Sequence, residues 1–147
     1  MVDVTEKPVT DREAEASGVV RMRATTRELV VARSLDKGDA LEVARIAGIM
    51  GAKKTSELIP LCHPIQIGSV DVVLAEVEDG IEIRATVRTA ERTGVEMEAL
   101  CAVSVAALTI YDMIKSTDRS ASVTDVRLLR KSGGRSGDWA APSLPAG

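Results

Sequence analysis

From Val19 the chain alternates, with Val20, Met22 and Ala24 on one side and Arg21 and Arg23 on the other. A period of two predicts a half-buried strand. The stretch RELVVARSL that follows allows a short helix ending near Asp36, Lys37 and Gly38. Asp39 then stands as an N-cap with Glu42 three residues on, the spacing of a capping box. Leu41, Ala44, Ile46, Ile49 and Met50 give the helix it opens an apolar side. That helix must fade before Pro60, because the residue preceding a proline is pushed out of the helical region. SVDVVLAEV and IEIRATVRT alternate again, and Glu78, Asp79 and Gly80 join them into an antiparallel hairpin with Ile81, Ile83, Ala85 and Val87 on one face. Thr93, with Glu96 at capping-box spacing, opens a long helix running to about Ser116. Its middle is apolar nearly all round, so it is expected to be buried or shared with another subunit. SVTDVRLLR supplies a last strand.

The resulting order, βαββαβ, predicts an α+β fold, a ferredoxin-like sandwich in which an antiparallel sheet carries helices packed on one face. The other face would be open or covered by a partner subunit. Residues 1–17 read as a flexible, charged lead-in, 18–137 as a single α+β domain and 138–147 as a flexible tail.

Composition narrows the function classes. The chain is 45% hydrophobic and 28% charged, which places it among globular rather than disordered sequences. Phe is absent, so the core falls to Ala, Val, Leu, Ile and Met. A net charge of −3 gives no electrostatic case for nucleic acid or a membrane surface. RNA-binding modules of the same strand order stack bases on strand aromatics, and these strands carry none. Cys62 and Cys101 do not form a disulfide framework. The longest apolar-rich run, ALCAVSVAALTIY, is shorter than the roughly 20 residues that span a bilayer. A cytoplasmic protein is the expectation.

Candidate chemistry gathers in a few places. His63 is the only histidine, set between Cys62 and Pro64 with Pro60 just upstream. Ile59 and His63 both precede prolines and are held extended, while the prolines fix their own φ. A histidine on so stiff a backbone has a defined direction, as a positioned acid, base or phosphate donor needs. A structural histidine at a loop-to-strand junction is the competing reading. No Cys/His pair has zinc spacing, so no metal site is expected, and Cys62 reads as a small buried residue. Lys37 precedes a helix N-terminus, where a lysine and free N–H groups can hold an anion, or it is a solvated loop lysine. Lys115 follows Asp112 by three residues on one helix face. The pair is either a surface ion pair or, as the apolar residues before Asp112 suggest, a partly buried pair with shifted pKa values. Lys131 and Arg135 flank Ser132, Gly133 and Gly134, a turn able to form an anion nest or merely a mobile basic tail. Glu98 has no capping role and faces an apolar helix. From Glu98 to Asp112 is 14 residues, about 21 Å at a helical rise of 1.5 Å per residue. Either one end is structural, or each meets the opposite end of a symmetry mate's helix.

Taken together, IPLCHP, GVEMEAL, SVAALTIYDM and LLRKSGG, with KGD and ARIAGI upstream, resemble the cyclic pyranopterin monophosphate synthase family (molybdenum cofactor biosynthesis protein C) from about Met1 to Gly137. The resemblance implies that the domain is a catalytic one, a lyase. Such an enzyme converts (8S)-3′,8-cyclo-7,8-dihydroguanosine 5′-triphosphate to cyclic pyranopterin monophosphate and releases pyrophosphate. It also implies a homohexamer, a trimer of dimers, with active sites at the dimer interfaces. Leu61, Cys62, His63, Met97 and Glu98 would contact substrate, and Asp112 would be the active-site aspartate. Lys115 and Lys37 would carry proton transfer. His63 and Lys131 would lie at the phosphates, and Arg12 would be drawn into the site. No cofactor is implied beyond a magnesium ion compatible with the triphosphate. The alternative is a non-catalytic nucleotide-sensing domain that binds the cyclised nucleotide and leaves it unchanged.

Overall fold

A computed structural model describes residues 1–142. Along the chain lie β1 (Thr10–Arg21), α1 (Ala24–Val31), α2 (Ala40–Lys53), α3 (Thr55–Leu58), β2 (Ser69–Val77), β3 (Gly80–Glu91), α4 (Glu96–Ile114), β4 (Ser122–Ser132) and β5 (Trp139–Ala140). The sheet order is β2-β3-β1-β4-β5, with every neighbouring pair antiparallel. The first four strands stand in ferredoxin-like order, and the helices cover one face. Ala14, Ala16 and Val20 of β1 and Ile81, Ile83, Ala85 and Val87 of β3 are fully buried in one core with Ala99, Ala102, Val103, Ala106, Ala107, Ile110 and Ile114 of α4. By length and composition α4 could cross a bilayer, yet more than half of it is buried inside the fold.

The first strand begins at Thr10 rather than Val19, so much of the expected lead-in is sheet, paired with β3 from Thr10↔Glu91 to Arg21↔Gly80. The alternation there is between alanines and acids. Glu13 and Glu15 face away from the core and pair with Arg84, Arg88 and Arg130 of the neighbouring strands. Charged residues on an outward sheet face hide a strand from a search for apolar alternation. Helix α1 starts at Ala24, in place of the expected strand end. Helix α4 starts at Glu96, and the residue before it, Val95, caps nothing with its side chain; the expected Thr93 cap is not formed. On α2, Asp39 does cap, accepting from the N–H groups of Leu41 and Glu42 at 3.1 Å each. The buried side of α2 is the small-residue side: Ala40, Ala44, Gly48, Gly51 and Ala52. Ile46 and Met50, expected to face the core, are 51% and 45% exposed. The tail expected to be flexible holds β5, in register with Lys131 opposite Trp139. The rest of that tail, 143–147, lies outside the described residues.

Candidate functional site

Two groups of candidate residues form, one at each end of α4. At its C-terminal end, the left-handed turn at Gly38 (φ +102°) brings Lys37 back against the helix. The Lys37 ammonium donates to the Asp112 main-chain carbonyl at 2.8 Å and to Asp112 Oδ2 at 3.0 Å. Lys115 Nζ lies 2.6 Å from Asp112 Oδ1. One carboxylate is thus held between two ammonium groups. The hydrogen bonds from Lys115 and then Lys37 hold the Asp112 carboxyl below its usual range, and the same contact raises Lys115. Burial contributes little to either shift. Asp112 and Lys115 are 56% and 53% exposed, so the partial burial expected from the apolar sequence before Asp112 is not found. Ile114 is fully buried and Tyr111 packs partly against the core, so only the inward side of this last turn is covered. Lys37, Tyr111, Lys115, Ser116 and Arg119 line a shallow cavity of about 290 Å³.

At the N-terminal end of α4 the chain builds two adjoining cavities. The larger, about 960 Å³, presents five cations (Lys7, Arg12, Arg92, Lys131 and Arg135) against the carboxylates of Glu6 and Glu96. Arg12 is set by β1: its Nε donates to the Glu91 carbonyl at 2.8 Å and its Nη2 to the Arg92 carbonyl at 3.2 Å. Its guanidinium lies so close over Gly134 (φ +78°) that a Cβ there would sit 2.1 Å from Nη1. Any other residue would displace Arg12. The 132–138 loop is closed by the Gly133 N–H donating to Asp138 Oδ1 at 3.2 Å, and Lys131 hydrogen-bonds the Ser136 hydroxyl. Asp138 therefore occupies one amide of the turn read from sequence as an anion nest.

The neighbouring cavity, about 430 Å³, is walled by Ile59, Leu61, Cys62, His63 and Met97 and shares Lys7, Thr93, Gly94 and Glu96 with the first. The residues from Cys62 to Ile67 carry no regular structure. They are fixed at both ends, where Cys62 N–H donates to the Ile59 carbonyl at 3.1 Å and Gly68 N–H to the Arg88 carbonyl at 2.8 Å. Glu98 lines neither cavity. It is 2% exposed, and its Oε2 has no hydrogen-bond partner. The Cys62 thiol points at its Oε1 at 3.8 Å. Burial raises the Glu98 carboxyl, and burial followed by the nearby Glu98 raises the Cys62 thiol.

Of the candidates, Arg12, Lys131, Leu61, Cys62, His63, Met97 and, behind Cys62, Glu98 gather at one end. Lys37, Asp112 and Lys115 gather at the other, about 21 Å away along the helix. Lys7 and Arg92 were missed, because a lysine in a polar lead-in and an arginine at a strand end carry no sequence pattern of their own. Among the described residues no three of His, Cys, Asp and Glu gather as metal ligands.

Comparison with known proteins adds to this geometry. The MoaC family matches residues 1–134. The chain is 59% identical over 139 residues to a cyclic pyranopterin monophosphate synthase of Streptomyces griseus, covering 95% of this chain and 78% of that protein. Similar proteins of the same name occur in Streptomyces coelicolor (58% identical; 95% and 82% covered) and Corynebacterium glutamicum (57%; 95% and 89%).

Proposed function

The chain belongs to the MoaC family and is an enzyme forming cyclic pyranopterin monophosphate in molybdenum cofactor biosynthesis, and on that premise we propose how its two separated clusters make one site. The substrate is the 3′,8-cyclised dihydro-GTP. Its triphosphate enters the basic cavity, where Arg12 and Lys131 take the phosphates, with His63 meeting them from the wall of the adjoining cavity. The stiff wall of Leu61, Cys62 and Met97 takes the purine-derived ring. Lys37, Asp112 and Lys115 are contributed by a symmetry mate, whose α4 runs the opposite way across a two-fold axis, within a homohexamer in the cytoplasm. The observation carrying this reading is that the lysine–aspartate cluster and the basic cavity sit at opposite ends of one helix, too far apart to share a ligand within a chain.

The chemistry needs two things. The ring must be opened and rebuilt, which requires positioned proton donors and acceptors. A ribose-derived oxygen must attack the α-phosphorus as the α–β bridging bond breaks and pyrophosphate leaves, which requires cations around developing negative charge. With Asp112 held ionised and Lys115 raised, Lys115 works as a proton donor and cation rather than as a base. Asp112 fixes both lysines in direction. Glu98 acts from behind by seating Cys62. Any magnesium ion arrives with the triphosphate.

The test is incubation with the cyclised dihydro-GTP and detection of pyranopterin and pyrophosphate. Lys115→Ala and Lys37→Ala should lower single-turnover rates by about 10²–10⁴-fold, the usual reach of a positioned acid–base group. Near-normal rates would sink the assignment, and unchanged substrate with the wild-type protein would favour a sensing domain.

A further inference from the structure

Lys7 belongs to the lead-in, yet it lines both cavities, the basic one and the His63 wall. Among the described residues its ammonium makes no ion pair, whereas most other cations of the fold do. Its backbone is held with care. Arg92 Nη1 donates to the Lys7 carbonyl at 2.9 Å and to the Thr5 carbonyl. The Lys7 N–H turns back to the Val4 carbonyl at 3.1 Å. Lys7 precedes Pro8, as His63 precedes Pro64, so both residues are restricted to extended backbone. The carbonyls of Arg92 and Glu91 accept from Arg12, so the lead-in, Arg92 and Arg12 are tied in series down to the Gly134 turn. These hydrogen bonds anchor a segment that has no helix or strand of its own. What they achieve is a Lys7 backbone fixed where the ring wall and the phosphate cavity adjoin, with the side chain lining both. A phosphate chain running from one to the other must pass that point.

We propose that Lys7 is a ligand of the substrate's phosphate chain, and that Arg92 is the positioning residue that holds it there by clamping the Thr5 and Lys7 carbonyls. The proposal rests on the reading of the basic cavity as the phosphate site. It assigns Arg92 no contact with the ligand. Arg92 lowers the cost of ordering Lys7, a pre-organisation effect.

Inorganic pyrophosphate, the leaving group, is the probe, measured by titration calorimetry on the full-length chain alongside steady-state kinetics. Lys7→Ala should weaken pyrophosphate binding and raise KM about tenfold, as loss of one charge-assisted contact does, with kcat changed far less. Lys7→Arg should restore most of the affinity. Arg92→Ala should act in the same direction, but add nothing in the Lys7→Ala background, because it acts through Lys7. Additive losses overturn the positioning role. Lys131→Ala separates the ligand role of Lys7 from the phosphate cavity itself. If it weakens pyrophosphate binding and Lys7→Ala does not, the ligand role of Lys7 fails and the phosphate cavity stands. If neither weakens it, both fail.

Discussion

Asp118, in the turn between α4 and β4, is fully buried. Its Oδ1 accepts from the Ser120 hydroxyl at 2.6 Å and the Ser120 N–H at 3.1 Å, and its Oδ2 from the Arg23 N–H at 2.9 Å and the Thr26 hydroxyl at 3.3 Å. The carboxylate thereby caps α1 from outside, where Arg23 offers no side-chain cap of its own. These bonds, the Ser120 hydroxyl first, lower its pKa to about 2 from an ordinary 3.8. Because the folded value lies below the unfolded one, the contribution is complete above about pH 4 and is lost as pH falls through about 2. Asp118→Ala should cost about 2–4 kcal/mol at neutral pH by urea denaturation, since it strands buried donors. It should also flatten the acid limb of the stability profile, and an unchanged acid limb would contradict the assignment. Cys62 offers a second check at this scale. Burial and the neighbouring Glu98 raise its thiol, so iodoacetamide at pH 8 should modify it more slowly than a free thiol; alkylation at the rate of an unfolded cysteine would oppose that. At this scale the prolines around His63 singled out a residue that lines a cavity. The sequence was silent on Asp118, two of whose partners, Arg23 and Thr26, lie 95 and 92 residues away, and misleading on Asp112, which its apolar neighbours do not cover.

Among elements, α2 and α4 meet through glycine. A Cβ on Gly51 would lie 2.8 Å from Val105 Cβ and 3.1 Å from the Cys101 carbonyl, and one on Gly48 would lie 3.0 Å from the Ala102 carbonyl. The two helices touch backbone to backbone, and α4 is seated by that contact with both its ends free to carry the two clusters. Gly51→Ala should therefore destabilise the fold by about 1–3 kcal/mol, although alanine favours helix, because the overpacking penalty exceeds the propensity gain. A stabilised variant in thermal or urea melts would mean the helices can part without cost. The hairpin β2–β3, the long α4 and the Asp39 cap were legible because periodicity and capping are local signals. The start of β1 and the buried side of α2 were not. Alanines and glycines carry little hydropathy, yet they are buried wherever close packing selects for small volume.

For the whole molecule, the βαββαβ order was enough to give the sheet order, because this connectivity leaves few alternatives. The separation of the two clusters was legible too, from the length of one helix. Two of the cations in the basic cavity were not, since Lys7 and Arg92 reach it only through the fold. If each site takes its lysine–aspartate cluster from one chain and its phosphate cavity from another, variants damaged at opposite ends must complement each other. Lys115→Ala and Lys131→Ala, each nearly inactive alone, should be co-expressed in equal amounts and purified together. Random two-fold pairing leaves one intact site in every mixed pair, so turnover should return to about a quarter of the wild-type value. A mixture no more active than either variant alone would contradict a site shared between chains.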